Sequence, residues 1–193
     1  MKNICVLRLS ALGDCCHALS VIQILQRQFP ESSLSWVINK NEYQLFRDIP
    51  NVDFIIVDKE NLVKSFSQIF FDKKKKIFDV LINLHASASA NFISLAIRAE
   101  RKIGYDKARA RDKQNWFCNE YIEAVSNQHV ADAMVGFLTH LDINEDKPSW
   151  KPLYLQPEEE LVKEHIFSDR KVCLISPCSS QRYGDKYNSS WPI

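Results

Sequence analysis

Asp14 is the first residue whose type and position could do chemistry. It stands in the stretch ICVLRLSALGDCCH (4–17), where an apolar run gives way to small, turn-prone residues and then to an apolar helical pattern. A carboxylate there has two readings. As the N-cap of a helix starting at Cys15, it accepts hydrogen bonds from unpaired helix amides. As a general base, it takes a proton from a bound hydroxyl. Amide bonds hold a carboxylate ionised and weakly basic, so that second role needs burial under substrate to raise its proton affinity. His85 follows the apolar segment FDVLINL and can reach the same crevice, either as a ligand contact or as a packed histidine. His17 falls one helical turn beyond Asp14, where packing or capping is the simpler role.

Arg98 to Lys113 hold seven cationic residues (Arg98, Arg101, Lys102, Lys107, Arg109, Arg111 and Lys113) against three acidic ones (Glu100, Asp106 and Asp112). That surplus is either a solvated surface or a pocket for an anion, since arginine forks suit phosphate and carboxylate. Lys73–Lys76, flanked by Phe70, Phe71 and Phe78, suits water or anionic lipid headgroups.

The elements that must position these groups are legible from periodicity. Ile4–Leu9 reads as a buried strand and Cys15–Phe29 as a helix with Leu19, Ile22 and Leu25 on its inner face. Leu34–Ile38, Phe54–Val57 and Phe78–Leu84 read as further strands, with Ile103–Tyr105 as a short one. Tyr43–Phe46, Leu62–Phe71, Asn91–Ile97 and Val130–Leu141 read as helices. Strands alternating with helices imply right-handed crossovers and a Rossmann-like parallel sheet with helices on both faces, an α/β fold. In such sheets ligands sit at the carboxyl ends of strands, which is where Asp14 and His85 fall.

Residues 1–143 read as one domain. Residues 144–157 hold three prolines and little periodicity, and read as a linker. Residues 158–193 supply a charged helix and one new strand, Lys171–Ser176, which is the expected start of a second, incomplete domain.

Composition excludes several classes. A net charge of +1 over 193 residues is not that of a general nucleic-acid binder. No apolar run approaches the roughly 18 residues of a membrane span, and no secretory leader pattern is present. Six cysteines without CxxC or zinc spacing indicate no metal site and a reduced, cytoplasmic setting. Gly13 stands alone, so neither the dinucleotide fingerprint nor a P-loop is present. A phosphorylated, receiver-like binding module needs an acid cluster at the strand ends. Asp14 and Asp58 are candidates for it, but Asn83-Leu84-His85 occupies the central strand's end.

Over RLSALGDCCHALSVIQILQRQFP (8–30) the chain resembles the lipopolysaccharide heptosyltransferases of glycosyltransferase family 9. The likeness continues through LSWVI (34–38), FDVLINLH (78–85), RKIGYD (101–106) and Gln128-His129, and resumes at LISPCSSQR (174–182) and Trp191-Pro192. The resemblance implies a GT-B architecture, with the chain supplying the acceptor-binding half. It implies inverting transfer of heptose from ADP-L-glycero-D-manno-heptose to a Kdo residue of lipid A, with no cofactor and no essential metal. The nearest likeness is to the type that adds the first heptose.

On that likeness Asp14 is the general base, with Ser10 and Gly13 shaping its loop. His85, Arg98, Arg101, Arg109 and Arg111 meet the acceptor, whereas Ser179, Ser180 and Lys186 meet the donor. Lys186 departs from the family pattern, being separated from Trp191 by Tyr-Asn-Ser-Ser. The implied partners are a nucleotide sugar and Kdo-lipid A, met in the cytoplasm or at the inner membrane's cytoplasmic face. Such proteins run well over a hundred residues further, so little turnover is expected of these 193 alone.

Overall fold

Along the first strand, successive side chains enter opposite cores. In β1 (Asn3–Leu7), Ile4 and Val6 join one apolar cluster and Cys5 and Leu7 the other. A strand buried on both faces is the mark of a central strand in a parallel sheet. β2 (Ser33–Asn39) repeats the pattern, with Leu34, Trp36 and Ile38 in the first core and Val37 in the second.

The computed structural model describes residues 1–72, 76–145, 147, 148 and 150, all within the unit Met1–Leu153. β1 and β2 are joined in one sheet by β3 (Asp53–Val57), β4 (Phe78–Asn83), β5 (Ala99–Gly104) and β6 (Glu120–Tyr121). The order across the sheet is β3-β2-β1-β4-β5-β6, with every pairing parallel. The first core lies under α1 (Leu12–Gln28), α2 (Lys40–Phe46), α5 (Val130–Val135) and the 3-10 segment Gly136–Leu141. The second lies under α3 (Leu62–Phe70) and α4 (Ala88–Ala96). The expected α/β class, the parallel sheet and helices on both faces are all present.

Several boundaries differ from the sequence reading. α1 begins at Leu12 rather than Cys15, and Ala11 is its N-cap. Asp14 is therefore not the cap but the third helical residue, and Gly13 lies inside the first turn rather than in a loop. The Ser10–Ala11 peptide ahead of it is cis. α4 starts at Ala88, earlier than Asn91, because Ser87 caps it by accepting from the Ala90 amide. β5 is six residues long where three were expected, and Tyr105 lies beyond its end. The segment 130–141 is one α-helical stretch followed by 3-10 turns. β6, two residues long, carries too little pattern to be read from sequence. The expected linker beyond residue 150, the helix 158–167 and the strand 171–176 lie outside the described residues.

Candidate active site at the switch point

The chain runs β1, β2, β3 in one direction, then returns past β1 to lay down β4, β5 and β6. The loops leaving β1 and β4 therefore part in opposite directions at adjacent strands, and an open crevice forms at their carboxyl ends. Arg8 follows β1, and His85 follows β4. The pairing is extended here by Leu84 N–H donating to the Leu7 carbonyl at 3.0 Å.

Arg8 is the only charge in the apolar run 4–9, and its side chain is buried. Its Nη1 donates to the Leu84 carbonyl at 2.5 Å, and its Nη2 pairs with Asp14 Oδ2. Two strand ends and the first turn of α1 are thus tied by one guanidinium. Asp14 Oδ2 also accepts from the Ala11 amide at 3.4 Å, half of a capping box, since alanine has no acceptor to return the bond. Asp14 Oδ1 accepts nothing from any described residue, and the side chain is 34% exposed. One carboxylate oxygen is anchored on Arg8 and the Ala11 amide, and a third of the side chain stays exposed. Gly13 beside it leaves open space where a Cβ would stand, so a ligand can approach the turn closely.

His85 Nδ1 accepts from the Leu9 amide at 3.2 Å, which puts the ring proton on Nε2. Burial, reinforced by the neighbouring positive charges of Arg8 and Lys59, pushes its pKa down to about 3. It is a neutral donor, not a cation. Ser10 is buried, and its Oγ accepts from Lys59 Nζ at 2.8 Å. Tyr105 packs edge-on against Phe137 with ring centroids 4.9 Å apart, and the Arg109 guanidinium lies 5.8 Å from its ring centre. Burial pushes the Tyr105 hydroxyl up to about 12, so it stays protonated. Gln114, fully buried, holds the following loop in place. It accepts from the Tyr105 amide at 3.1 Å and donates to the Asn83 carbonyl at 3.0 Å.

The predicted arginines do not converge as a set. Arg98 sits at the opposite, amino edge of the sheet, where its carbonyl accepts from the Phe78 amide; it cannot share the crevice with Asp14. Arg101 points into a structural pair, bonding both oxygens of Glu120 at 2.6 and 2.8 Å and the His140 carbonyl at 2.8 Å. Arg109 stays at the carboxyl end, but it is occupied by Asp106, Gln128 and the Glu123 carbonyl. Arg111 is exposed on the same loop. The expectation of a single cationic set is corrected, because Arg98 precedes β5 at the amino edge, Arg101 lies within it, and Arg109 and Arg111 follow it at the carboxyl end.

Two residues at the crevice escaped the sequence reading. Arg8 was discoverable as a lone charge inside a buried strand, which must find a partner. Lys59 carried no such signal, since it follows β3 and reaches Ser10 only through the fold. Asp58, a candidate for the acid cluster of a receiver-like module, is instead held by Lys40 at 3.1 Å, and that bond lowers its pKa. His17 packs edge-on against His129 at 5.4 Å. Ser179, Ser180 and Lys186 lie outside the described residues.

Comparison with known proteins accords with this fold. The model of glycosyltransferase family 9 (heptosyltransferase) matches residues 72–193. The chain is 36% identical over 184 residues to lipopolysaccharide core heptosyltransferase OpsX of Haemophilus influenzae, covering 95% of this chain and 53% of that protein. In fold it is similar to a family 9 glycosyl transferase from Veillonella parvula, with a TM-score of 0.72 at 22% identity, over 89% of this chain and 51% of the other. The E. coli heptosyltransferase WaaC with ADP-2-deoxy-2-fluoro heptose gives a TM-score of 0.64 at 17% identity, over 78% and 51% of the two chains. The chain spans about half the length of the curated relatives it matches. With the strand-loop-helix opening, the parallel sheet and the family match in agreement, this chain belongs to glycosyltransferase family 9, the heptosyltransferases.

Proposed function

We propose that this chain is the acceptor-binding half of an inverting heptosyltransferase of lipopolysaccharide core synthesis. The donor is ADP-heptose and the acceptor a Kdo residue on lipid A. The observation that carries this reading is Asp14, with Oδ2 anchored on Arg8 and the side chain a third exposed at the carboxyl ends of the strands. In the proposed step, the acceptor hydroxyl oxygen forms a bond to the anomeric carbon on the face opposite the diphosphate. The bond from that carbon to the diphosphate oxygen breaks, ADP leaves with the electron pair, and the hydroxyl proton passes to Asp14 Oδ1. Arg8 fixes the carboxylate's direction, and His85 Nε2–H offers a neutral hydrogen bond to a sugar oxygen.

Arg111 and Lys59 supply positive charge at the same end of the sheet for the acceptor's carboxylate and phosphate groups. The step needs no metal or other cofactor in this reading. Two relatives whose names specify lipopolysaccharide heptosyltransferases support the substrate class. We place the protein in the cytoplasm, working on acceptor at the inner membrane; among the described residues no helix is long and apolar enough to cross a membrane.

Transfer is tested by incubating the chain with ADP-heptose and Kdo-lipid A and weighing the product by mass spectrometry, alone and with the partner half added. Since half the length of its relatives is present, the 193 residues alone should turn over little. With the other half supplied, Asp14→Ala should lower turnover by about a hundredfold to ten-thousandfold without changing the circular dichroism. An undiminished rate would leave Asp14 only its structural bonds to Arg8 and the Ala11 amide.

A further inference from the structure

We infer that Tyr105 positions the acceptor at Asp14, its phenol O–H donating a hydrogen bond to a sugar oxygen beside the attacking hydroxyl. Tyr105 thereby joins the acceptor-binding reading above, on which its role rests.

The sheet register brings Tyr105 to the site. Leu7 of β1 pairs with Asn83 of β4, and Ile82 of β4 with Ile103 of β5. Continued past the strand ends, that register sets Arg8, Leu84 and Tyr105 level on three neighbouring strands. Each stands two residues beyond a member of the α1-side core, namely Val6, Ile82 and Ile103, so all three share that face. α1, with Asp14 in its first turn, covers the same face.

The ring is fixed without help from its hydroxyl. The Tyr105 amide donates to Gln114 Oε1 at 3.1 Å, and the Gly104 carbonyl just before it accepts from the Ile122 amide at 3.1 Å. Phe137 meets the ring edge-on, and the Arg109 guanidinium lies near its centre. Tyr105 is only 8% exposed, yet its hydroxyl bonds no described residue. A buried tyrosine hydroxyl ordinarily finds a partner. Among the described residues, the fully covered side-chain atoms that lack one are Arg8 Nε, His17 Nδ1, Asn83 Nδ2 and Asn91 Oδ1. The Tyr105 oxygen lacks one without being fully covered, so a bound ligand can reach it.

The charges around that oxygen are already paired. Those that reach it are Arg8, Asp14, Arg109 and Asp106. Arg8 holds the Leu84 carbonyl and Asp14, whereas Arg109 holds Asp106, Gln128 and the Glu123 carbonyl. The phenol O–H is left without a commitment, and burial keeps it protonated. A neutral donor beside balanced charges suits a neutral acceptor: a ring or hydroxyl oxygen of the sugar whose neighbouring hydroxyl yields its proton to Asp14. The phenol keeps its own proton throughout, so Tyr105 orients the acceptor and takes no part in proton transfer.

The test is isothermal titration of the 193-residue chain with a water-soluble Kdo glycoside, beside the variants Tyr105→Phe and Tyr121→Phe. Tyr105→Phe deletes one oxygen and keeps the ring. It should weaken binding about three- to tenfold and leave the urea midpoint unchanged or higher, since no internal bond is lost. Tyr121 is the structural contrast, because its hydroxyl donates to the Asn115 and Cys118 carbonyls at 2.7 and 2.6 Å. Tyr121→Phe should lower the urea midpoint and leave the affinity alone. In transfer with the other half supplied, Tyr105→Phe should raise the acceptor KM by the same factor and leave the donor KM unchanged. Three results overturn the proposal and leave the function above standing: unchanged affinity in Tyr105→Phe, a lowered urea midpoint in that variant, or an equal loss of affinity in Tyr121→Phe. A wild-type chain that binds no Kdo glycoside strikes that function, and the role of Tyr105 with it.

Discussion

Asp14 and Arg8 show how much a single ion pair decides at the residue scale. Arg8 and the Ala11 amide both hold Asp14 Oδ2, which fixes the direction of the carboxylate. Arg8→Met should cost about 1–3 kcal/mol in urea unfolding, since the buried Leu84 carbonyl loses its donor. Arg8→Lys keeps the charge but has no fork to span both partners, so it should recover only part of that loss.

His85 makes a second residue-scale prediction. Its folded pKa of about 3 lies below the ordinary 6.5, so the unfolded chain takes up the proton first on acidification. The stability it contributes is fully present above about pH 6.5 and is lost as pH falls towards 3, on the order of a few kcal/mol. Urea midpoints measured between pH 7 and pH 4 should fall accordingly, and His85→Gln, which keeps an acceptor for the Leu9 amide, should flatten part of that fall.

At the scale of elements, β5 and the loop after it are where pattern and structure part most clearly. A helix with one apolar stripe announces itself, and α1 was readable to within three residues. β5 hides because Arg101 and Lys102 interrupt it, and only their partners, Glu120, the His140 carbonyl and the Ser94 carbonyl, make them acceptable in a strand. Gly104 at its end explains another constraint. A Cβ there would stand 2.8 Å from Cys118 Sγ and 3.1 Å from Cys118 Cβ. Gly104→Ala should therefore cost about 1–3 kcal/mol. Combining it with Cys118→Ala, which removes the sulfur, should cost less than the two single changes added together.

For the whole molecule, the sheet separates two cores that touch through backbone rather than through shared side chains. Ile22 belongs to the α1 side and Ile93 to the α4 side, both fully buried. Each should lose about 2–5 kcal/mol on substitution by alanine. In the double variant the losses should add within about 0.5 kcal/mol, a test of independence by denaturant melts. The cores are also unequally covered. A 17-residue helix with α5 and the 3-10 segment closes one side, while two nine-residue helices close the other.

Fold class and the order of the main strands and helices were determined by the sequence alone, because apolar periodicity is a local property that survives without neighbours. Which charges share the crevice was decided only by the tertiary structure. Arg8 meets Leu84 across 76 positions, Lys59 meets Ser10 across 49, and Arg101 meets His140 across 39. An ion pair acts over a few ångströms of space, and the topology that places its partners there is written in no single stretch of chain. The basic segment therefore read as one site in sequence, yet in the fold it divides between a structural brace, a loop clamp and the far edge of the sheet.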